Sequence, residues 1–402
     1  MAGIPLEFFL FAAVLGLVAC APIDTMYSAL GGALVITIYK LLCSPFGEGA
    51  GLAGLLAHTG GEWVGLANLL ALLLGFALLA RHFEASQLPA RLAEYMPDDW
   101  TGPLSLLLLV FVISSFLDNI AAALIGGSIA RSVFRGKVHV GYLAGIVAAS
   151  NAGGAGSVVG DTTTTMMWLA GVAPLHVLHA YTAASVALLV CAVPAARQQH
   201  AHQPIVRDAP AGVRIDWARL AIVGAVLLTA IAVNITLNVR FPVQAGAFPF
   251  LGLAVWTVLL LSALLRRPDW SELPGALRGA LFLLALVWTA SLMPVRALPP
   301  ASWTMALGLG FVSAVFDNIP LTALALRQGG FDWGYLAYAV GFGGSMIWFG
   351  SSAGVALTGM YPQARSLTQW LRQGWHVTLA FVIGFAAMLA LLGWHPDSAP
   401  LR

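Results

Sequence analysis

Two Asp-Asn pairs interrupt long apolar stretches, Asp118-Asn119 in SSFLDNIAAALIGG and Asp317-Asn318 in SAVFDNIPLTALAL. A third carboxylate, Asp161, follows SNAGGAGSVVG and precedes four threonines, Thr162 to Thr165. The stretch GFGGSMIWFGSSAG offers hydroxyls instead, from Ser345, Ser351 and Ser352. An ionisable group at membrane depth is expensive and marks a working site by default. The chemistry that these residue types offer is coordination of a hard cation. Na+ takes oxygen ligands, as hard divalent ions do. Asn119 and Asn318 supply neutral amide oxygens, while Asp118, Asp161 and Asp317 supply charge that a proton can also occupy. Burial disfavours the charged carboxylate and a nearby cation favours it, so a carboxylate serving Na+ and H+ in turn would couple them.

The two pairs lie 199 residues apart in a chain of 402, which points to a duplicated architecture with one polar site per half. The chain is 59% hydrophobic and 9% charged. Soluble domains carry about 25% charged residues, so this composition describes an all-α polytopic membrane protein with the lipid bilayer as its main partner. The net charge of +2 says little about partners, because Lys and Arg are few and lie in loops, and nothing resembles a nucleic-acid-binding surface. Cys20, Cys43 and Cys191 are scattered through apolar segments without a CxxC, so neither a disulfide framework nor a zinc site is expected. The wording Leu17-Val18-Ala19-Cys20 resembles a lipoprotein cleavage box, but residues 1–16 hold no Lys or Arg. Residues 6–22 therefore read as a retained transmembrane helix.

A span needs about 20 apolar residues. Simple spans read as 6–22, 23–43, 62–81, 175–195, 217–238, 247–265, 275–293 and 374–394. Residues 102–131 and 301–326 carry the Asp-Asn pairs and are expected to be re-entrant helical hairpins, because thirty helical residues measure about 45 Å against a core of about 30 Å. Pro320 is expected to break the second hairpin just after its pair. Residues 139–172 and 333–360 read as broken helices; aligning Gly153-Gly154 with Gly343-Gly344 also pairs Gly160 with Gly350 and Asp161 with Ser351. If the hairpins do not cross, each half makes an odd number of crossings and the halves face opposite ways. The expected plan is therefore an N-terminal inverted repeat at 1–195, a cytoplasmic linker at 196–216 and a C-terminal inverted repeat at 217–402. It has about ten crossings plus two hairpins and two broken helices, a plan common among secondary transporters.

Plainer roles exist for the same residues. Each Asp-Asn could cap a helix N-terminus, and Thr162 to Thr165 could bond the preceding helical turn. His82 and Glu84 fall at a span end, where a solvated or interfacial place is the default; Glu84 could instead belong to a proton path. His176 and His179 sit one turn apart near the membrane surface. Trp63, Trp168, Trp217 and Trp375 read as interfacial anchors.

At FLDNIAAAL (116–124), SNAGGAGSVVGDTTTTMMWLAG (150–171), SAVFDNIPLTALAL (313–326) and GFGGSMIWFGSSAGVALTGM (341–360), the chain resembles the NhaD-type sodium/proton antiporters. These belong to the ion transporter superfamily, with citrate, dicarboxylate and arsenite carriers. GAGSVVGD departs from the family's usual tryptophan- and proline-containing wording. The resemblance implies inverted halves and a cation site at Asp118, Asn119, Asn151, Asp161, Thr162, Asp317, Asn318, Ser345, Ser351 and Ser352. It further implies Na+ or Li+ exchanged for H+ by alternating access, no cofactor beyond the transported ions, a homodimer and a bacterial inner membrane. The competing expectations are a sodium-coupled citrate or dicarboxylate symporter and an arsenite permease of the same fold. An intramembrane aspartyl protease, with Asp161 paired to Asp118 or Asp317, stands further off.

Overall fold

The structure is a computed structural model, and it describes residues 5–20, 25–88, 96–115, 117–158, 160–206, 214–241, 244, 246–294 and 300–397. The described chain is helical, and six of its helical stretches are long and apolar enough to cross a membrane. It is an all-α polytopic membrane protein.

The first helices are α1 (Leu6–Cys20), α2 (Thr25–Cys43) and α3 (Gly51–Ala85). Residues 62–81 are only part of α3, which begins eleven residues earlier than expected. Its 35 residues measure about 52 Å at 1.5 Å each. Five glycines in its first fifteen residues do not stop it, because each glycine weakens a helix by about 1 kcal/mol without breaking it. Next come α4 (Thr101–Ser114) and α5 (Asn119–Val133), the two arms of the first Asp-Asn segment. The first broken helix follows as α6 (Val140–Ala155) and α7 (Thr162–Leu169), then α8 (Pro174–Leu178) and α9 (Ala180–His202). The helix expected to end at 195 thus runs on to His202; of the anticipated linker, 207–213, including Arg207, lie outside the described residues.

The second half repeats this order with α10 (Trp217–Arg240), α11 (Phe250–Ser262) and α12 (Leu273–Ser291). The second Asp-Asn segment is α13 (Trp303–Ser313) and α14 (Asn318–Gln328). The second broken helix is α15 (Trp333–Gly343) and α16 (Ser352–Met360), followed by α17 (Leu367–Gln373) and α18 (Trp375–Leu392). Pro320 does not break the chain after its pair. It is the third residue of α14, in the first turn, where a missing N–H leaves no helical bond unmade. The break comes before the pair.

Each Asp-Asn segment returns to the end from which it started. Gly102 at the start of α4 lies against Ile205, and Val133 at the end of α5 accepts a hydrogen bond from the Val206 N–H at 3.0 Å. In the second segment Gly330 lies against Ala301. The same interior contacts recur in both halves. Ser114 Oγ donates to the Ser150 carbonyl at 2.5 Å, and Ser313 Oγ donates to the Val340 carbonyl at 2.6 Å. A Cβ on Gly153 would stand 2.2 Å from the Phe111 carbonyl oxygen, and one on Gly343 would stand 2.3 Å from that of Gly310. Only glycine lets arm and broken helix approach this closely.

The helices pack as two groups. One holds α1–α3 with α10–α12; the other holds the arms, the broken helices, α9 and α18. They meet where α3 packs on α5 and α12 packs on α16. Basic residues collect at one end of the bundle, which we call the basic face. There Arg266 Nε meets Asp216 Oδ2 at 2.9 Å, the Asp216 N–H donates to the Ser86 carbonyl, and Arg219 Nη1 lies 3.0 Å from His82 Nδ1. His82 is buried at 1% exposure, not solvated as its place at a span end implied, because α10 closes over it.

Candidate functional site

Four helix breaks bring eight helix ends together in the interior. α4, α6, α13 and α15 run into this region with their C-termini, and α5, α7, α14 and α16 leave it with their N-termini. A helix N-terminus carries orphan N–H groups and a partial positive charge. Each of the four is capped by a residue singled out in the sequence. Asp118 accepts from the Ile120 N–H at 2.9 Å, Asp161 from Thr163 at 3.0 Å, Asp317 from Ile319 at 3.1 Å and Ser351 from Gly354 at 3.3 Å. The plain capping role therefore holds for both Asp-Asn pairs, and it fixes where their neighbours point.

Those neighbours converge on Asp161. Asn119 Nδ2 donates to Asp161 Oδ2 at 3.4 Å and to Asn151 Oδ1 at 3.1 Å. Asn318 Nδ2, from the other half, donates to the same Asp161 Oδ2 at 3.4 Å. Asn151 Nδ2 crosses between halves to Ser345 Oγ at 2.9 Å and Ser351 Oγ at 3.1 Å. Ser352 Oγ donates to Asp317 Oδ2 at 3.0 Å. All of these side chains are buried, whereas Asp118 is partly exposed.

A cavity of about 250 Å³ opens onto this network. Asp118, Asn119, Asp161, Asn318 and Ser352 line it. Asn151, Ser345 and Ser351 stand behind that lining, and Asp317 reaches it through Ser352. Thr162 begins α7, and its side chain lies outside the described residues. Thr164 Oγ1 donates to the Ser157 and Asp161 carbonyls at 2.5 and 2.9 Å, the backbone role considered for the threonine run. Glu84 lies elsewhere, on the basic face, ion-paired with Arg81 and with Arg131.

Two lining residues escaped the sequence reading, Asn68 on α3 and Asn234 on α10. Asn68 Oδ1 accepts from the Gly252 N–H at 2.9 Å, tying α3 to α11. The signal was present as single amides in ANLLALLL and AVNITLN. Neither belongs to a repeated motif.

The arrangement is a buried oxygen-rich centre shared by two similar halves, with breaks at mid-helix and an adjoining cavity. That architecture defines the class of multi-pass membrane transport proteins. Residues 8–343 match the CitMHS citrate transporter family, and the chain belongs to that family. Two curated relatives from Arabidopsis thaliana bear the names sodium/proton antiporter 1 and sodium/proton antiporter 2. The first is 27% identical over 285 residues, covering 62% of this chain and 49% of its own length. The second is 26% identical over 294 residues, covering 62% of this chain and 67% of its own length. The chain thus spans about half the length of the first of these relatives.

Proposed function

We propose that this protein exchanges Na+ for H+ by alternating access, in a bacterial inner membrane, with two inverted halves at 1–195 and 217–402. One observation carries the reading. Carboxylates cap three of the four helix N-termini that meet at the site, Asp118, Asp161 and Asp317. Bare N-termini attract anions, and these are already offset by fixed negative charge. Among the described residues the cavity lining also holds no Lys or Arg. A carboxylate substrate would meet like charge at close range, whereas a small cation would find oxygen ligands. The names of the two relatives agree with this choice.

In this reading Asp161 is the shared ligand. Asn119 and Asn318 point their amide N–H groups at its Oδ2. Turning either amide over exchanges N–H for carbonyl oxygen, so a cation beside Asp161 is met by oxygens from both hairpins. A proton on Asp161 removes the charge that holds the cation, and the two occupants exclude each other. The positive-inside rule puts the basic face in the cytoplasm.

The family's name, citrate transporter, favours a second reading, transport of citrate, which we take as coupled to Na+. Proteoliposomes with an imposed pH gradient separate the two. Added Na+ is expected to collapse the gradient in the parent and not in Asp161→Asn, with Li+ and K+ as comparisons. Accumulation of labelled citrate with Na+, and no proton movement, would overturn the exchange reading.

A further inference from the structure

A second cavity, of about 240 Å³, lies between α3 and α12 on one side and α5 and α16 on the other. These elements belong to the two packing groups, so the cavity sits on the seam between them. It adjoins the first. Along α3 the two linings overlap, Phe76 facing the first cavity and Leu73, Ala77, Ala80 and Arg81 the second. Along α5 the change falls between Ala121 and Leu124, and along α16 between Ser352 and Val355. On α5 and α16 the step is three residues, about 4.5 Å along the helix. At the boundary Phe76, 2% exposed, lines the first cavity and Leu124, 4% exposed, lines the second.

The far end of this cavity carries charge. Arg81, Arg131 and Glu272 line it. Arg81 Nε meets Glu272 Oε1 at 2.9 Å and its Nη2 meets Asp269 Oδ2 at 3.3 Å, which ties α3 to the start of α12. Glu84 pairs with Arg81 on its own helix and with Arg131 Nε at 3.7 Å. Arg131 is near the end of α5, in the other packing group. The Glu84–Arg131 pair therefore crosses the seam at the cavity mouth. Hydrogen bonds from Ser271 and then Arg81 hold Asp269 below the usual carboxylate range.

We propose that the second cavity is the basic-face access route to the site, and that the Glu84–Arg131 pair is the latch across its mouth. Breaking the latch frees α5 and α16 to part from α3 and α12, which joins the cavity to Asn119 and Ser352 at the N-termini of the same two helices. The inference rests on the transporter reading, but it does not depend on which ion moves.

The test is cysteine accessibility. Ala356, a lining residue on α16, is changed to cysteine in a chain whose native cysteines are replaced. A membrane-impermeant methanethiosulfonate is then applied to inside-out vesicles. Labelling is expected to be about fivefold faster with Glu84→Gln, the upper range for one exposed ion pair. The charge exchange Glu84→Arg with Arg131→Glu should restore the slow rate. Equal rates in parent and Glu84→Gln, or labelling only from the opposite face, would overturn the proposal. Latch-dependent labelling that is unaffected by Na+, in a protein that moves no Na+, would keep the route and discard the exchange reading.

Discussion

At the residue scale, Asp118 has two duties that substitution can separate. Its Oδ1 caps α5, and its charge lines the main cavity. Asparagine caps a helix as well as aspartate does, whereas alanine costs about 1 kcal/mol. Asp118→Asn should therefore leave the melting temperature in detergent unchanged and abolish Na+-dependent proton movement. Asp118→Ala should lose both. Retained transport in Asp118→Asn would confine this carboxylate to capping. The paired motifs, Asp161 and the serines were legible in the sequence because polar groups stand out in apolar runs. Their division of labour was not. The Asp of each pair is spent on its own helix end, and the Asn reaches across to Asp161. Nothing in one-dimensional spacing distinguishes these two directions.

At the element scale, the helix breaks were legible because glycine clusters coincide with polar groups. The start of α3 and the place of Pro320 were not. Glycine permits a helix that packing supports, and proline in a first turn leaves the helix intact. The duplicated glycines make the sharper claim about packing. Gly153→Ala would place a methyl 2.2 Å from the Phe111 carbonyl oxygen. Backbone on both sides leaves little room to yield, and overpacking of this kind costs about 1–3 kcal/mol. Thermal unfolding in detergent should show the loss, with Gly343→Ala behaving alike. A control at Gly275, where an added Cβ meets nothing within 4 Å, should melt like the parent. Equal melting of all three variants would mean that arm and broken helix separate easily.

At the scale of the whole molecule, hydrophobicity alone made the membrane class plain, and the 199-residue interval pointed to the contacts that recur between the two Asp-Asn segments. The two-group packing and the seam between groups were beyond reach, since they depend on which apolar faces meet. Orientation follows from where the basic residues gather. A single cysteine at Lys137, beside the end of α5, should label from the cytoplasmic side. One at Ser302, which caps α13, should label from the other side. A third cysteine at Gln328, the last residue of α14, should label from the same side as Ser302; labelling from the opposite side would turn the second Asp-Asn segment into a full crossing and rule out opposed halves.

Asn151 sits in the first half, yet both bonds from its amide nitrogen end on serines of the second. On the proposed reading, the cation site is therefore completed across the two halves. A gene cut between α9 and α10 is expected to yield two polypeptides that restore transport only when they reassociate.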